Sequence, residues 1–359
     1  MRAALKWAGT ALLFAAVALC FAPTIVPPFL DRIYYRGPAN DHFDGRRFFN
    51  PGAPATSLLR GGGSVLNRMI GSDERVAWPE RVAVRPTIPP RSVAGDEMRV
   101  TWIGHATILV QTQGLNILTD PIWSDRASPF SFTGPRRVRA PGIRFEDLPR
   151  IDLVLVSHNH YDHMDLATLR RLWQRDRPLI VTSLGNDAII AGGGARAVAR
   201  DWGGRVAVRP GIEVIVERNH HWGSRWFTDR NRALWSAFTI RTPGGNIFFA
   251  GDTGWGGGDW VREAARRGPF RLAIIPIGAY EPRDVMASNH VNPEEAMGIF
   301  EILNPAHALG MHWGTFQLTF EDINDPPQRI ARLARERGLA PNRFVATEAG
   351  RTFRVPPAP

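Results

Sequence analysis

The 359-residue sequence contains a single cysteine, Cys20, and a single lysine, Lys6. One cysteine excludes an intramolecular disulfide framework and every zinc site that is built on thiolates. Any metal bound by this chain must therefore be held by histidine and carboxylate side chains. The sequence also lacks a collagen-like glycine period and any low-complexity tract, which excludes the fibrous and repetitive protein classes.

All basic residues other than Lys6 are arginine, and the chain carries a formal net charge of +10. So complete a preference for arginine over lysine, together with abundant alanine, glycine and proline, is typical of a GC-rich coding sequence. Genome composition is therefore an alternative to a functional explanation of the charge. Nucleic acid and an anionic membrane surface are both consistent with a positive charge. No basic tract interleaved with aromatic residues is present, so we expect no specific nucleic-acid partner.

The N-terminus carries Arg2 and Lys6 and continues as an uncharged stretch over residues 7–30. Its proline-free part, residues 7–22, is expected to be an apolar helix. A span of a bilayer needs roughly 20 residues, and this helix reaches that length only if it continues past Pro23. This pattern predicts a signal anchor or signal peptide over residues 1–30. The protein is then expected to be membrane-associated, with its catalytic domain in the periplasm or otherwise outside the cytoplasm. A buried N-terminal helix is the alternative.

The body of the chain reads as one globular domain, with 44% hydrophobic and 22% charged residues. Residues 31–97 are rich in arginine, glycine and proline and predict an extended arm packed on that domain. Strand-like and helical stretches then alternate in two blocks, roughly 98–200 and 205–350, each beginning with a meander. We predict an α/β fold, a single-domain layered αββα sandwich over residues 98–355. Helices are predicted over residues 165–174, 260–267, 293–302 and 327–337.

The strongest chemical feature is the segment SHNHYDH at residues 157–163, directly after a predicted buried strand. In an extended segment, residues two apart point the same way, so His158 and His160 can bind one cation together. A turn into the following helix would direct Asp162 and His163 toward a second cation beside the first. Three imidazoles and a carboxylate suit a borderline divalent metal such as zinc.

Further candidate ligands follow three other predicted strands, each just before a glycine-containing turn, where active-site loops of α/β proteins usually lie. They are His220 with His221, Asp252, and His312. Each of these residues alone is a weak indication, because an isolated histidine or aspartate is as often structural. Together with the segment 157–163, they complete a set of seven ligands for two metals.

These motifs resemble the metallo-β-lactamase superfamily and, within it, the N-acylphosphatidylethanolamine phospholipase D family with its bacterial relatives. The superfamily order of His-x-His-x-Asp-His, a later His, Gly-Asp-Thr-Gly and a final His is kept. The narrower resemblance covers about residues 98–320, whereas the first 35 residues have no counterpart in it. The segments that carry it are TWIGHAT (101–107), LTDP (118–121), SHNHYDH (157–163), FAGDTG (249–254), PIGAYEPR (276–283), HVNPEEA (290–296) and HWGTF (312–316).

The resemblance implies two bound Zn²⁺ ions, with other divalent transition metals as alternatives, each held by three residues and joined by a bridging carboxylate. The ligands of one ion would be His158, His160 and His221. The ligands of the other would be Asp162, His163 and His312, with Asp252 bridging both. The family has Gln-His-Trp where this chain has His220-His221-Trp222, so His220 stays an alternative to His221.

The activity that the resemblance implies is that of a phosphodiesterase of phospholipase D type. Two cations about 3.5–4 Å apart lower the pKa of a bridging water and clamp the oxygens of an in-line displacement at phosphorus. N-acylphosphatidylethanolamine-like lipids would then be hydrolysed by a metal-bridging hydroxide to phosphatidic acid and N-acylethanolamine, with Asp162 and Asp252 as catalytic ligands. The expected partners are the phospholipid substrate and a membrane surface, and a homodimer is a further expectation.

Two alternatives to this activity stay open on the sequence. The same dinuclear site could act on a lactone, a phosphorylated metabolite or RNA, because one fold hosts many hydrolases. A non-catalytic, membrane-anchored accessory protein is the other alternative, and the intact seven-ligand set argues against it.

Several residues outside the ligand set are candidates for contact with substrate. His290 is predicted to be catalytic, by hydrogen bonding to the phosphate or protonating the leaving alkoxide, with a packed or capping histidine as the alternative. Tyr280 and Arg283 are predicted to bind substrate, and pairing of Arg283 with Glu281 is the alternative. His105, in the first meander, is assigned to the substrate side of the site as a neighbour of the ligands.

Two tryptophans lie beside ligand motifs. Trp222 and Trp313 are predicted to line an acyl groove of the substrate site. Tryptophan is also a common core residue, so a position in the core is the alternative for both.

Overall fold

A computed structural model describes residues 7, 9–20, 32–52, 75–226 and 228–357 of the chain. Within these residues the strands form two sheets, and helices cover the outer face of each sheet. The strands are β1 (Met98–Gly104), β2 (Thr107–Thr112), β3 (Leu115–Thr119), β4 (Leu153–Val156), β5 (Leu179–Ser183), β6 (Val198–Arg200), β7 (Arg205–Arg209), β8 (Ile212–Glu217), β9 (Ala237–Arg241), β10 (Asn246–Phe249), β11 (Phe270–Pro276), β12 (His307–Met311), β13 (Phe344–Val345) and β14 (Thr352–Arg354). The α-helices after the first strand are α1 (Leu166–Asp176), α2 (Asn186–Gly192), α3 (Asp259–Ala265), α4 (Arg283–Met286), α5 (Pro293–Leu303) and α6 (Asp325–Glu336).

The two sheets share one plan. The first has the order β14-β1-β2-β3-β4-β5-β6, and the second has the order β13-β12-β11-β10-β9-β8-β7. In the first sheet β1, β2 and β3 are antiparallel, whereas β3 to β6 are parallel. In the second sheet β7 to β10 are antiparallel, whereas β10 to β13 are parallel. Each sheet therefore begins with a meander and continues with parallel crossovers, as predicted.

The main core lies between the sheets and continues under the helices of the second sheet. Alternate residues of β1 face inward, including Val100 and Trp102, and they meet Phe238 and Phe249 of the opposite sheet. A second cluster lies on the outer face of the first sheet, where α1 buries Leu169 and other side chains. The predicted αββα sandwich in a single domain is confirmed by this layering.

The four predicted helices agree with the observed ones to within a few residues, and the elements that were missed have identifiable causes. Helix α2 was not predicted because it is seven residues long and glycines lie on both sides of it, at Gly185 and Gly193. The short strand β14 was also missed, because its pairing with β1 joins residues about 250 positions apart in sequence and no local pattern reports such a pairing.

The N-terminal arm lies against the domain without forming helix or strand over residues 32–52 and 75–97. Its backbone makes isolated bridges, such as those between Phe43 and Phe48 and between Val82 and Arg139. Phe43 and Phe48 are buried against Leu234 and Trp235 in a separate apolar cluster. The division of the chain at residues 30 and 97 stays a prediction.

The predicted N-terminal anchor is wrong. Residues 9–20 are helical, yet among the described residues no helix combines the length and the apolar character that crossing a membrane requires. The membrane-anchored localisation that was inferred from this anchor is therefore wrong as well. Residues 21–30 of the predicted stretch lie outside the described residues.

The arm carries a buried histidine that links it to the domain. The His42 ring lies between two carboxylates, with Nδ1 2.6 Å from Asp41 Oδ1 and Nε2 2.7 Å from Asp201 Oδ1. It also stacks on Trp202, with ring centroids 4.5 Å apart. Burial acts to lower the pKa of His42, but the carboxylates of Asp201 and Asp41 outweigh burial and raise it above its ordinary value.

We expect this contact to stabilise the folded chain in a pH-dependent way. A raised pKa means that the stabilisation is complete below the ordinary histidine pKa of about 6.5 and is lost as the pH rises through the raised value. The difference in Tm between the wild type and His42→Gln should therefore be largest near pH 5 and shrink as the pH rises through the raised pKa. A difference that stays constant, or grows with pH, would contradict this assignment.

Candidate metal centre

The candidate site lies where strands of both sheets end. The segment 157–163 follows β4, and the segment 219–222 follows β8. Residues 250–254 follow β10, and His312 is the first residue after β12. β4 belongs to the first sheet, whereas β8, β10 and β12 belong to the second, and the segments that follow these strands converge.

One group of ligand atoms, here called the first cluster, consists of His158, His160 and His221. His158 Nε2 lies 2.8 Å from His160 Nδ1, and His221 Nε2 lies 3.4 Å from the same nitrogen. The three nitrogens lie within 4.8 Å of one another. His158 and His221 are buried, whereas His160 is partly exposed at the pocket described below.

The second cluster consists of Asp162, His163 and His312. His163 Nε2 lies 3.1 Å from His312 Nε2, and each of these nitrogens is 3.4 Å from Asp162 Oδ2. His163 and His312 are almost fully buried. The predicted ligand residues of both groups are thus brought together as the spacing of the motifs predicts.

Asp252 joins the two clusters. Its Oδ2 lies 3.0 Å from His163 Nε2 and 2.9 Å from His312 Nε2, and it is 3.9 Å from His221 Nε2 of the first cluster. Its Oδ1 is buried and has no hydrogen-bond partner among the described residues. A carboxylate in this position can offer one oxygen to each of two cations.

Hydrogen bonds from outside the clusters fix which ring nitrogen faces inward. His158 Nδ1–H donates to Ser157 Oγ at 2.9 Å, and His221 Nδ1–H donates to the Asn289 carbonyl at 2.9 Å. His163 Nδ1–H donates to Asp120 Oδ2 at 2.7 Å. Each of these bonds places a proton on the outer nitrogen, Nδ1, and turns Nε2 into the site, where it can serve as the metal-binding nitrogen.

Asp120 is a site residue that the sequence analysis did not assign. It lies directly after β3 and is fully buried. Besides binding His163, it accepts hydrogen bonds from the backbone N–H of Ser157 at 2.7 Å and from its hydroxyl at 2.6 Å. The available signal was the position of an aspartate at the end of an apolar strand, within the segment LTDP. Asp120 thus anchors a ligand-bearing loop through three hydrogen bonds.

His105 supports the second cluster and is not in a position to bind substrate directly. Its Nε2–H donates to Asp162 Oδ2 at 2.8 Å, and the residue is 1% exposed. Burial lowers the pKa of His105 to about 3, with a further contribution from His312. The ring is therefore neutral and orients the carboxylate of Asp162.

The electrostatics of the clusters favour a cation. Burial acts to raise the pKa of Asp252, but His163 and His312 outweigh burial and hold it well below its ordinary value. Burial acts to lower the pKa of His312, but Asp252 and Asp162 raise it to about 9. Burial lowers the pKa of His158 well below its ordinary value, so that ring is a neutral ligand. The negative potential that raises the pKa of His312 also attracts metal cations.

Several residues around the clusters adopt a left-handed backbone that is unfavourable for residues other than glycine. They include His105 at φ 55°, Asp120 at φ 32°, Ala279 at φ 62° and His312 at φ 64°. Strained backbone of this kind concentrates at functional sites, where the surrounding structure holds it.

A pocket of about 240 Å³ opens beside both clusters. Most of the non-ligand side chains in its wall are apolar or carry a hydroxyl, and none of them is an arginine or an additional carboxylate. The residues in its wall are Ala127, His160, Tyr161, Asp162, Trp222, Ser224, Asp252, Ala279, Met286, His290, Leu318 and Thr319.

His290 lines this pocket, whereas His220 does not. His290 Nδ1 lies 3.9 Å from Asp252 Oδ2 and has no hydrogen-bond partner among the described residues. Burial lowers the pKa of His290 to about 4. His220 instead packs against Gly256, where an added Cβ would come within 2.3 Å of its Nδ1. The structure thus places His221, and not His220, at the first cluster.

The other predicted substrate-binding side chains divide between pocket and core. Trp222 lines the pocket. Trp313 is 4% exposed and stacks on Trp102 with ring centroids 4.7 Å apart, so it lies in the core. Tyr280 is fully buried, and its hydroxyl donates to Asp325.

Arg283 contacts its own loop and does not line the pocket. Its guanidinium donates to the carbonyl of His290 at 2.8 Å and pairs with Glu295 at 2.8 Å. It therefore pairs with Glu295 in place of the expected Glu281. Because His290 and Asn289 lie in this loop, Arg283 supports the site from behind.

The residues present fit bound metal. The ring nitrogens of His158, His160 and His221 face one another at 2.8–3.4 Å, and a divalent cation between them can accept a lone pair from each. The unpartnered Oδ1 of Asp252 offers a further donor atom. Histidine and carboxylate donors without thiolates suit zinc and related transition metals.

Comparison with known proteins agrees with the geometry. A model of the β-lactamase superfamily domain matches residues 115–313. The chain is similar to N-acyl-phosphatidylethanolamine-hydrolyzing phospholipase D 1 of Caenorhabditis elegans, at 35% identity over 74% of this chain and 79% of the relative. It is also similar to the mitochondrial N-acyl-phosphatidylethanolamine-hydrolyzing phospholipase D of Saccharomyces cerevisiae, at 34% identity over 70% of this chain and 55% of the relative.

Among solved structures, a metallo hydrolase of the archaeon Ignicoccus hospitalis has the same fold. The TM-score is 0.55 at 22% identity, and the match covers 72% of this chain and 98% of that one. The family match, the fold and the relatives together show that this chain belongs to the β-lactamase superfamily, as a metal-dependent hydrolase.

Proposed function

We propose that the chain is a zinc-dependent phosphodiesterase of phospholipase D type that hydrolyses N-acylphosphatidylethanolamine-like phospholipids. The products are phosphatidic acid and N-acylethanolamine. The substrate is supported by the relatives in Caenorhabditis elegans and Saccharomyces cerevisiae, whose names state this hydrolysis. The membrane surface and the homodimer expected from the sequence stay predictions.

One observation carries the reaction type: the two clusters face each other across Asp252 at the floor of a pocket. His158, His160 and His221 would hold one zinc ion, and the second cluster would hold the other, with Asp252 shared. Two divalent cations, when bound, supply charge to neutralise a phosphodiester and activate water for attack at phosphorus. Such a site requires no serine or cysteine nucleophile.

The chain contributes its own groups around the reacting phosphate. His290 presents an unpartnered Nδ1 at the pocket wall, where it can hydrogen-bond to a phosphate oxygen or to the leaving alcohol. Outside the clusters, His105 holds Asp162 and Asp120 holds His163, so the ligands keep their orientation during the reaction.

The pocket wall supports a substrate with a neutral, partly apolar group next to the phosphate. Trp222, Met286 and Leu318 supply apolar surface, and Ser224 and Thr319 supply hydroxyls. An N-acylated ethanolamine is uncharged and carries an amide that such hydroxyls can bind. A free ammonium would meet no carboxylate in this wall except those of the clusters.

We expect the zinc-loaded protein to release N-acylethanolamine from N-acylphosphatidylethanolamine in detergent micelles, as measured by mass spectrometry. Phosphatidylethanolamine is the matched control substrate, since it differs only in lacking the N-acyl group. Bis-p-nitrophenyl phosphate, RNA and a lactone test the alternative substrates. Turnover of one of these, with none of the acylated lipid, would overturn the proposed substrate and retain the metal-dependent hydrolase.

We expect Asp120→Asn to weaken metal binding about 10- to 100-fold, which is typical when the outer partner of a metal-binding histidine is lost. If the side-chain oxygen of the new asparagine keeps its hydrogen bond from the backbone N–H of Ser157, the NH₂ group faces the Nδ1–H of His163. Two donors then face each other, and the hydrogen bond to His163 is lost. The measurement is competition of the protein with a chelating dye for Zn²⁺.

The matched control for this variant is Asp176→Asn. Asp176 accepts a hydrogen bond from the backbone of Ile151 at the opposite end of β4, at 2.9 Å. The Asp176→Asn protein should keep the zinc affinity of the wild type. An Asp120→Asn protein that binds zinc as tightly as this control would show that Asp120 does not orient a ligand.

A further inference from the structure

The loop that carries His221 has little regular structure of its own. Between β8 and β9, residues 218–236 (here the ligand loop, of which residue 227 is not described) form no strand or α-helix among the described positions. Its internal bonds include those of Asn231, whose N–H donates to the Gly223 carbonyl and whose side chain accepts from the Gly223 N–H. The position of His221 therefore depends on what packs against this loop.

The N-terminal arm supplies part of that packing, beside the hydrogen bonds that join Asn219 and His220 to residues 250–254. The backbone N–H of Phe48 donates to the Asn231 carbonyl at 2.8 Å. Phe48 and Phe43 are each 1% exposed, and they bury Leu234 and Trp235 at the far end of the ligand loop. The arm is thus joined to the ligand loop by both apolar contact and hydrogen bonds.

One arm residue reaches the ligand itself. The Asn50 side-chain NH₂ donates to the backbone carbonyl of His221 at 2.8 Å, and its Oδ1 accepts from Trp235 Nε1 at 3.1 Å. Because the indole can only donate, this pair of bonds fixes the orientation of the amide. On the other side, the His221 ring donates to the Asn289 carbonyl.

We propose that the N-terminal arm is a positioning element of the metal centre and that Asn50 acts as its positioning residue, by fixing the backbone of His221. This inference rests on the proposed metal function of the first cluster. His221 is held at two points, its backbone by Asn50 and its ring by Asn289. Loss of the backbone contact lets the ring move relative to His158 and His160, which lie in the loop after β4 of the other sheet.

The test uses the full-length chain and the variant Asn50→Asp. Aspartate has the same shape and keeps the acceptor for Trp235, but it cannot donate to the His221 carbonyl. We expect one equivalent of Zn²⁺ to bind about 10-fold more weakly, as for other outer partners of metal ligands. With Co²⁺ in place of Zn²⁺, the visible absorption spectrum should change, because it reports the coordination geometry.

Asn50→Ala is a second variant that introduces no charge, so the result does not depend on how one substitution folds. Asn40→Ala is the matched control, because among the described residues the side chain of Asn40 bonds only within the arm, to the backbone N–H of His42 at 3.0 Å. This control variant should bind Zn²⁺ and Co²⁺ as the wild type does. Circular dichroism and Tm report whether each variant keeps its fold.

Two outcomes would overturn proposals, and they are distinguishable. A wild-type protein that binds no metal contradicts the proposed function itself. A wild type that binds two equivalents, with the Asn50 variants matching it in affinity and Co²⁺ spectrum, leaves that function standing and overturns the role of the arm.

Discussion

Five imidazoles and two carboxylates share one small, largely buried volume, and the cost of removing them from water is the constraint on which the rest of the site depends. All of them except His160 are buried. Removing such groups from water without partners costs several kcal/mol per charge. The ring nitrogens of the first cluster also converge at 2.8–3.4 Å, a spacing that suits a shared cation. A site of this kind is stable only where cations are bound and where surrounding structure holds each ligand in place.

The αββα fold meets this constraint by dividing the task among elements. The sheets bring strand ends from two layers to one edge, so ligands distant in sequence share a cation. Outer hydrogen bonds from Asp120, Asn289 and His105 then set the ring or carboxylate orientation. The left-handed backbone at His312 is tolerated for the same reason, since its N–H bonds to the carbonyl of His105. The arm extends this support to the loop that carries His221.

Much of this arrangement could be predicted from the sequence because strong local patterns encode it. The apolar run before residue 157 marks a buried strand, and the alternation of His158 and His160 places both rings on one side. The final ligands, Asp252 and His312, follow the same rule of strand end and glycine turn. The two-block order of strands and helices likewise predicted the sandwich.

The remainder depends on contacts between distant residues, which no local pattern reports. Arg283 looked like a phosphate ligand, yet its partners are a carbonyl seven residues away and Glu295 on α5. Trp313 lies beside a ligand but turns into the core, because Trp102 offers a stacking face there. The bond between Asn50 and His221 spans 171 positions. The membrane span predicted at the N-terminus is not found in the described part of the chain, where no helix combines sufficient length with apolar character.

The central claim is that the two clusters hold metal ions in the positions that their lone pairs define. Anomalous X-ray diffraction at the zinc absorption edge, on crystals of the zinc-loaded full-length protein, tests it most directly. The account predicts two anomalous peaks, one among His158, His160 and His221 and one among Asp162, His163 and His312, with Asp252 between them. An absence of peaks at these residues, or zinc bound elsewhere on the chain, would contradict it.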